Sequence, residues 1–168
     1  GIRQARELDM TNDSHLFPTR VEWEARGFVA DGRGHWLRRS EAGGQRALPL
    51  IEGRMVGAYR CNQKAWVSGV GRRAIWRTLP LGSPVEPQYL VAEKDLERIP
   101  RVREVKLGFM AISSATNARS MIAAAIPGLP CGNAVPVLRT AHGVRGMLAL
   151  LGLLNSTVFD YVLRLRLG

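Results

Sequence analysis

The sequence predicts an α+β fold, with a twisted, mostly antiparallel sheet and a long apolar C-terminal helix. Between residues 47 and 142, short apolar runs rich in valine, isoleucine, tyrosine and tryptophan alternate with glycine and proline, a pattern typical of strands joined by tight turns. Residues 143–168 form a mostly apolar stretch of helical length. With 168 residues, 46% of them hydrophobic, the chain is long enough to bury one core, so we expect a single domain over 1–168.

Residues 1–46 form a polar lead-in that is rich in arginine and glycine. We expect one short helix in it, over Val21–Arg26. Glycine and aspartate cluster at Ala30–Gly34, which predicts a loop there.

The strand-rich core spans residues 47–142. Ser120–Ile126 is ambiguous, because three consecutive alanines suit a helix while the following Pro127-Gly128-Leu129-Pro130 predicts a turn, and we assign it as a strand. The other expected strands are Met55–Arg60, Ala65–Val67, Ala74–Thr78, Tyr89–Ala92 and Val105–Ile112.

One long helix is expected over Gly143–Arg166. It is apolar on several faces at once, so it must be buried on more than one side, in this core or against a neighbouring domain. Asn155-Ser156-Thr157 and Asp160 interrupt the apolar run, whereas a membrane span needs about 20 mostly uninterrupted apolar residues. We therefore expect no membrane partner.

Two cysteines, Cys61 and Cys131, are present. So low a count, together with an opening segment that lacks an apolar export signal, favours a reduced, cytoplasmic protein with no bridge between them. The three histidines and two cysteines are scattered and lack the close ligand pairs of zinc sites, so no metal is expected.

The charge balance is strongly basic, with 24 lysines and arginines against 14 acidic residues and a net charge of +10. Such a surface attracts nucleic acid or an anionic membrane. Of the basic residues 21 are arginine, whose planar fork of donors suits phosphate and the guanine edge. A GC-rich genome also raises the arginine content, but it does not explain the net charge.

Four stretches together suggest a family. In chain order they are Leu8–Phe17, Leu48–Val56, Ala115–Pro127 and Leu148–Tyr161. They resemble the C-terminal target-recognition domain (TaqI-like specificity domain) of type II, type IIG-like restriction-modification enzymes, which fuse an adenine-specific DNA methyltransferase to its own sequence-reading domain. The resemblance covers nearly the whole chain. It implies a domain cut from such an enzyme, with double-stranded DNA and the methyltransferase domain of the same parent chain as its partners.

The parent enzyme implied by the resemblance transfers a methyl group from S-adenosylmethionine to adenine N6 and carries an attached endonuclease in some forms. This chain lacks the glycine-rich donor loop and the Asn/Asp-Pro-Pro-aromatic motif that holds the extruded adenine. Gly69-Val70-Gly71 lacks the strand-loop-helix setting of a nucleotide-binding turn. We therefore expect no catalytic residues and no cofactor in this chain.

A nuclease site is a remote alternative. Asp95 followed by Glu104-Val105-Lys106 has the acid and acid-x-lysine arrangement that holds magnesium in many nucleases. Triplets of this kind arise by chance, and Asp95 lies in a charged stretch more typical of a solvated turn.

The candidate DNA contacts are arginines on the predicted sheet and its loops. Arg72 and Arg73 lie at a glycine-bounded turn between Trp66 and Trp76, with Arg77 four residues on, and loops on a rigid sheet are common places for base contacts. The alternative is a solvated hairpin tip with no partner.

Arg54 and Arg60 are further candidates. Met55, Val56 and Tyr59 of the expected Met55–Arg60 strand are predicted to pack in the core, and the two arginines then point from the opposite, exposed face, since residues at even separations share a face of a strand. Asn117 and Arg119 match the family's Thr-Asn-x-Arg-Thr pattern, where they contact DNA or, alternatively, hold a turn and pair internally. Relatives usually carry Arg-Asp where this chain has Met110-Ala111. A charge pair built there is therefore missing.

Two functions remain open from the sequence. The first is sequence-specific reading of double-stranded DNA for a methyltransferase. The second is a protein-interaction domain that docks a partner subunit through its apolar C-terminal helix and whose basic surface is incidental.

Overall fold

The computed structural model describes residues 1–32, 34–39, 44–111 and 118–167. The α+β class is confirmed, and the pairs between named strands are antiparallel. The elements are β1 (Ile2–Ala5), α1 (Arg20–Ala25), β2 (Val29–Ala30), β3 (Trp36–Arg38), β4 (Gln45–Pro49), β5 (Lys64–Ser68), β6 (Ile75–Thr78), β7 (Leu90–Ala92), β8 (Lys106–Phe109), β9 (Ala123–Ile126), β10 (Val137–Thr140), α2 (Gly143–Leu154) and α3 (Thr157–Leu167).

The described strands form three sheets, whereas the sequence predicted one. The first sheet has the order β1-β10-β8-β9, the second has the order β2-β3-β4-β7, and β5 and β6 form a separate hairpin. The two four-stranded sheets each join strands from distant parts of the chain. The division follows from this long-range pairing, which local periodicity does not report.

Most strand predictions in the core are confirmed. Ala65–Val67, Ala74–Thr78 and Tyr89–Ala92 correspond to β5, β6 and β7. β8 and β9 lie inside the predicted runs Val105–Ile112 and Ser120–Ile126 and are shorter than those runs. The end of the first run, Ile112, lies outside the described residues.

The predicted strand over Met55–Arg60 is wrong. Gly53–Met55 is a 3₁₀ turn, and the backbone of Tyr59 has a φ of 65°, which a strand does not allow. The amide of Gly57 donates to the carbonyl of Arg60 at 2.7 Å and closes a second turn. Met55 and Val56 are buried as expected, but in turn geometry, whereas Tyr59 is 57% exposed and does not pack in the core.

Residues 1–46 contribute more regular structure than the polar composition suggested. β1 pairs with β10 in the first sheet, and β2 and β3 form the outer part of the second sheet. The helix expected over Val21–Arg26 is confirmed as α1. Its first turn is capped because the Thr19 hydroxyl accepts the Glu22 amide at 3.3 Å and the Glu22 carboxylate accepts the Thr19 amide at 2.7 Å.

The main core lies between the two larger sheets, and strand alternation decides which residues enter it. In β9, Ala124 and Ile126 join the main core, whereas Ala123 packs on the opposite face with α2. In β4, Leu48 joins the main core and Ala47 packs on the other face with α1. Residues at even separations thus share a face, and the layers run α2, first sheet, core, second sheet, α1.

A short crossover joins the two sheets. Cys131 and Gly132 lie between Leu8 and Ile51 and form parallel bridges with them. The amide of Leu8 donates to the Cys131 carbonyl at 3.2 Å, and the amide of Gly132 donates to the Ile51 carbonyl at 3.0 Å. The crossover therefore fixes the first sheet against the segment that follows β4.

The prediction of one long C-terminal helix is wrong, because the helix breaks at Asn155 into α2 and α3, which differ in direction by 62°. The buried Asn155 side chain accepts the Ala123 amide at 3.1 Å and donates to the Ala123 carbonyl at 2.9 Å. Asp160 accepts the amides of Ser120 and Met121 at 2.7 and 2.8 Å. The polar residues that interrupt the apolar run thus pair with the outer edge of β9.

No single helix among the described residues combines the length and apolar character that a membrane crossing needs; α2 and α3 meet both criteria only when counted together as one bent pair.

Glu7, Lys106 and Arg139 form a buried ion network. The side chains of Glu7 and Lys106 are 2% and 0% exposed, and Lys106 Nζ lies 2.7 and 2.8 Å from the two Glu7 oxygens. Arg139 Nη2 donates to the same carboxylate at 2.9 Å, and Lys106 also donates to the Val102 carbonyl at 2.9 Å. The network joins the segment after β1 to β8 and β10.

We expect Glu7→Gln to lower the free energy of unfolding by about 3–5 kcal/mol, because it leaves the Lys106 ammonium buried without a carboxylate. Urea unfolding monitored by circular dichroism would measure this. The matched control is Glu104→Gln, which removes only an exposed ion pair with Arg101 and should leave the unfolding midpoint unchanged. Equal midpoints for Glu7→Gln and the control would contradict the role of the network.

Candidate nucleic-acid interface

The β5–β6 hairpin carries Arg72 and Arg73 at its tip. Gly69 opens the turn with a φ of 77°, and a side chain there would collide with the Arg73 carbonyl, so the turn requires glycine. The Arg73 amide donates to the Val70 carbonyl at 3.2 Å and holds a 3₁₀ turn over Gly71–Arg73. Both side chains are exposed, and neither guanidinium makes a hydrogen bond or ion pair within the described residues.

The base of this turn is held by neighbouring side chains. Trp66 Nε1 and Gln88 Nε2 both donate to the Gly69 carbonyl, at 2.9 and 3.3 Å. The Arg20 guanidinium lies 5.0 Å from the centre of the Trp66 ring. The hairpin thus presents its arginines from a fixed base, which reduces the entropy lost when they bind a partner.

Arg54 joins the same surface from a different part of the chain. It follows Glu52 in the 3₁₀ turn after β4, is exposed, and donates through Nη1 to the Ala74 carbonyl at 3.3 Å. This contact places it beside the hairpin turn. We refer to Arg54, Arg72 and Arg73 as the hairpin rim.

Arg60 and Arg77, two other predicted contacts, are occupied within the chain. Arg60 Nη2 donates to the carbonyls of Leu79 and Pro80 at 3.1 and 3.0 Å. Arg77 Nη2 lies 2.6 Å from both carboxylate oxygens of Glu86. Arg60 therefore holds the chain after β6, and the charge of Arg77 is largely neutralised.

The structure does not bring Arg119 to the hairpin rim. Its Nη2 donates to the carbonyl of Asn155 at the break between α2 and α3, which is the internal role left open by the sequence. Asn117, predicted with it, lies outside the described residues.

A second group of arginines, between β7 and β8, is matched by acids. Arg98 pairs with Asp13, Arg101 with Glu104, and Arg103 with Glu93. These pairs reduce the positive potential there. They make this cluster a weaker anion site than the hairpin rim.

A cleft of about 470 Å³ opens beside the hairpin rim. It has apolar and aromatic walls and a few polar side chains, a composition typical of small-ligand sites. Its lining includes Met10, Glu52, Arg54, Trp76, Gln88, Tyr89 and Met110.

Burial changes the acid-base properties of this cleft. Burial raises the pKa of Glu52 to about 7, although the Gln88 amide and the Arg54 charge oppose the shift. The pKa of Tyr89 is raised by its own burial and then by the negative charges of Glu52 and Glu22. Glu52 is thus a carboxyl group that changes charge near neutral pH.

The residues suggested for a nuclease site do not converge. Lys106 is buried and held by Glu7, while Glu104 is exposed and paired with Arg101. Within residues 1–32, 34–39, 44–111 and 118–167, no group of three or more His, Cys, Asp or Glu side chains is placed to hold a metal ion. Burial raises the pKa of the free Cys61 and Cys131 thiols, which lowers their nucleophilicity.

Sequence reasoning missed the cleft. Trp76 was noted only as a neighbour of arginines, Glu52 only within the stretch Leu48–Val56, and Tyr89 only as part of a strand. The one available signal was an acidic residue inside the apolar run Leu48–Val56, where burial of a carboxyl group is costly and calls for a specific role.

Comparison of the chain with models of protein families, with curated proteins and with solved structures gave no match.

The raised pKa of Glu52 predicts a stability that falls with pH. The folded protein binds the Glu52 proton more tightly than the unfolded chain, so the free energy of unfolding should fall as the pH rises from about 4.5 to above 7, by on the order of 3 kcal/mol from this group. Glu52→Gln should remove this fall and be the more stable protein at pH 8.

Urea unfolding at half-unit pH intervals would test this expectation. Glu97→Gln, at an exposed position, is the control and should keep the pH profile of the unaltered protein. A profile for Glu52→Gln that matches the control would contradict the assignment.

Proposed function

We propose that the chain is a target-recognition domain that binds double-stranded DNA and supplies sequence specificity to an adenine-specific DNA methyltransferase of a restriction-modification system. The observation that carries the proposal is the hairpin rim, where Arg54 of the turn after β4 lies beside the hairpin turn that carries Arg72 and Arg73. The net charge of +10 supports it. In this proposal the protein acts in the cytoplasm, where it meets the DNA.

The two kinds of arginine on the chain suit different tasks. The guanidinium groups of Arg72 and Arg73 project from the hairpin tip with no partner in the described part of the chain. A guanidinium that forks onto guanine O6 and N7 discriminates sequence. Arg54 holds the turn through Ala74 and suits a phosphate contact, which fixes register without reading sequence. Methyl transfer and S-adenosylmethionine binding belong to the methyltransferase domain of the parent chain, so this chain needs no cofactor.

We expect the chain to bind duplex DNA with about micromolar or weaker affinity at physiological salt, since the other domains of the parent complete the contact. The logarithm of the affinity should fall linearly with the logarithm of the salt concentration, by roughly 0.9 of slope per phosphate neutralised. Arg72→Ala or Arg73→Ala should relax base preference at one position, at about 1–3 kcal/mol of discrimination.

Fluorescence anisotropy and selection from random duplexes would measure the two effects. Arg101→Ala removes the same single charge from an ion-paired position and should change neither. Binding that is independent of salt, or a selected sequence that is the same for both hairpin variants and the unaltered chain, would contradict the proposal. In the second case the reading surface would lie elsewhere.

A second function, docking of a partner subunit, is favoured by the outer surface of α2 and α3. Met147, Leu151 and Leu154 turn inward, but large apolar side chains also face outward. Tyr161 is 63% exposed, and the other exposed large apolar residues of the two helices are Val144, Leu148, Leu153, Val158, Val162 and Leu165. An exposed apolar surface of this kind marks an interaction site. If the chain is a target-recognition domain, the partner that docks on α2 and α3 is the methyltransferase domain of the parent chain.

We expect the double variant Val158→Glu/Tyr161→Glu to keep the stability of the domain, because both positions are exposed, and to abolish docking. Co-purification of the two separately expressed domains of the parent would measure docking, and anisotropy would measure duplex binding. Loss of docking with duplex binding kept would support two separate surfaces. Unaltered co-purification would contradict docking through α2 and α3.

A further inference from the structure

Two polar atoms of the cleft-lining residues are shielded from solvent and lack a hydrogen-bond partner in the described part of the chain. They are Oε1 of Glu52 and Nε1 of Trp76. Folded proteins leave few buried polar atoms unpaired, and those that remain need water, an ion or a ligand. Two other indole groups have partners, since Trp23 donates to the Leu90 carbonyl at 3.0 Å and Trp66 to the Gly69 carbonyl at 2.9 Å.

The pairing capacity of these two atoms defines the chemistry of a ligand. The indole N–H of Trp76 requires an acceptor, and the ionised Glu52 carboxylate requires an N–H or O–H donor. Both side chains line one cleft, so a ligand that carries a donor and an acceptor on the same edge can serve both.

The shape of the cleft restricts the ligand further. Trp76 and Tyr89 supply aromatic surface, and Met10 and Met110 supply polarisable side chains. A side chain at Gly132 would approach Met10 Sδ to 3.1 Å, so glycine keeps this wall thin. A volume of about 470 Å³ accommodates a flat heterocycle with the group attached to it.

The charge at the mouth of the cleft completes the description. Arg54 lines the cleft, and Gly71 and Ala74 place the hairpin turn at its edge, with Arg72 and Arg73 between them. A ligand whose flat ring enters the cleft would therefore hold an attached group close to three guanidinium groups. Phosphate is the anion that arginine binds best through paired donors.

We propose that this cleft binds a single nucleobase, with the Glu52 carboxylate accepting from the base, the Trp76 indole donating to it and the hairpin rim holding its phosphate. Each of the four bases offers a donor beside an acceptor on one edge. The proposal rests on the proposed function for the source of the base, because a base enters such a cleft only when it is unstacked from the duplex or free as a nucleotide.

Indole N–H resonances of the ¹⁵N-labelled chain give a direct test, since Trp76 can be assigned with Trp76→Phe and Trp23 serves as an internal reference. The probes are the four deoxynucleoside 5′-monophosphates and, as a base-free control, 2-deoxyribose 5-phosphate. We expect at least one nucleotide to shift the Trp76 resonance with about millimolar affinity while Trp23 stays in place, and the sugar phosphate to leave Trp76 unshifted.

At pH 8, where the Glu52 carboxyl group is mostly ionised, Glu52→Gln should weaken nucleotide binding at least about tenfold, because it replaces a charged acceptor, whereas Glu97→Gln should leave it unchanged. Equal Trp76 shifts with nucleotide and sugar phosphate, or no shift up to about 10 mM nucleotide, would overturn the nucleobase site and leave ordered water as the partner of the two atoms.

Salt-dependent binding of duplex DNA is measured on the same samples. Nucleotide binding without duplex binding would overturn the proposed function alone. Duplex binding without nucleotide binding would overturn this inference alone. A duplex with one abasic nucleotide opposite a normal base would then test whether the base is taken from DNA. In that case this duplex should shift the Trp76 resonance and the intact duplex should not.

Discussion

The Glu7 carboxylate fixes two strands of the first sheet to the crossover. Its oxygens accept from Lys106 of β8, from Arg139 of β10 and, at 3.1 Å, from the amide of Cys131 in the crossover. A buried charge is tolerated only when it is fully paired, so folds that separate these groups are strongly disfavoured. The same carboxylate therefore fixes the order of the first sheet and the position of the crossover.

The crossover in turn determines where the cleft lies. Pro130 and Gly132 pair with the backbone of Ile51, and the next residue along, Glu52, is brought under the hairpin with its carboxyl group buried. Ala134 packs against Gly53, where a side chain would come within 3.3 Å. Burial of the Glu52 carboxyl group lowers the free energy of unfolding, and the packing of the core around Ile51 offsets this loss.

The sequence predicted elements whose signal is local and missed those that depend on distant partners. Strands β5 to β7 have alternating apolar residues bounded by turns and were found, whereas β1 is exposed along its length and pairs with β10 through its backbone. The break at Asn155 was missed for the same reason, since its side chain pairs with Ala123, 32 residues away. Met55 and Val56 were correctly placed in the core but wrongly in a strand, because burial alone does not specify backbone geometry.

The sequence was least informative about the candidate site. An arginine can bond within the chain or stay exposed for a partner, and the residue type is the same in both cases. Arg54, Arg72 and Arg73 meet because Ala74 accepts from Arg54, a contact that spans 20 residues. The side chains of Arg60 and Arg119 instead donate to backbone carbonyls, those of Leu79 and Asn155. Composition cannot separate these roles. Geometry does, because a guanidinium that already donates to the chain has fewer donors left for a base or a phosphate. One that is held on a glycine turn with no partner among the described residues has all of its donors available.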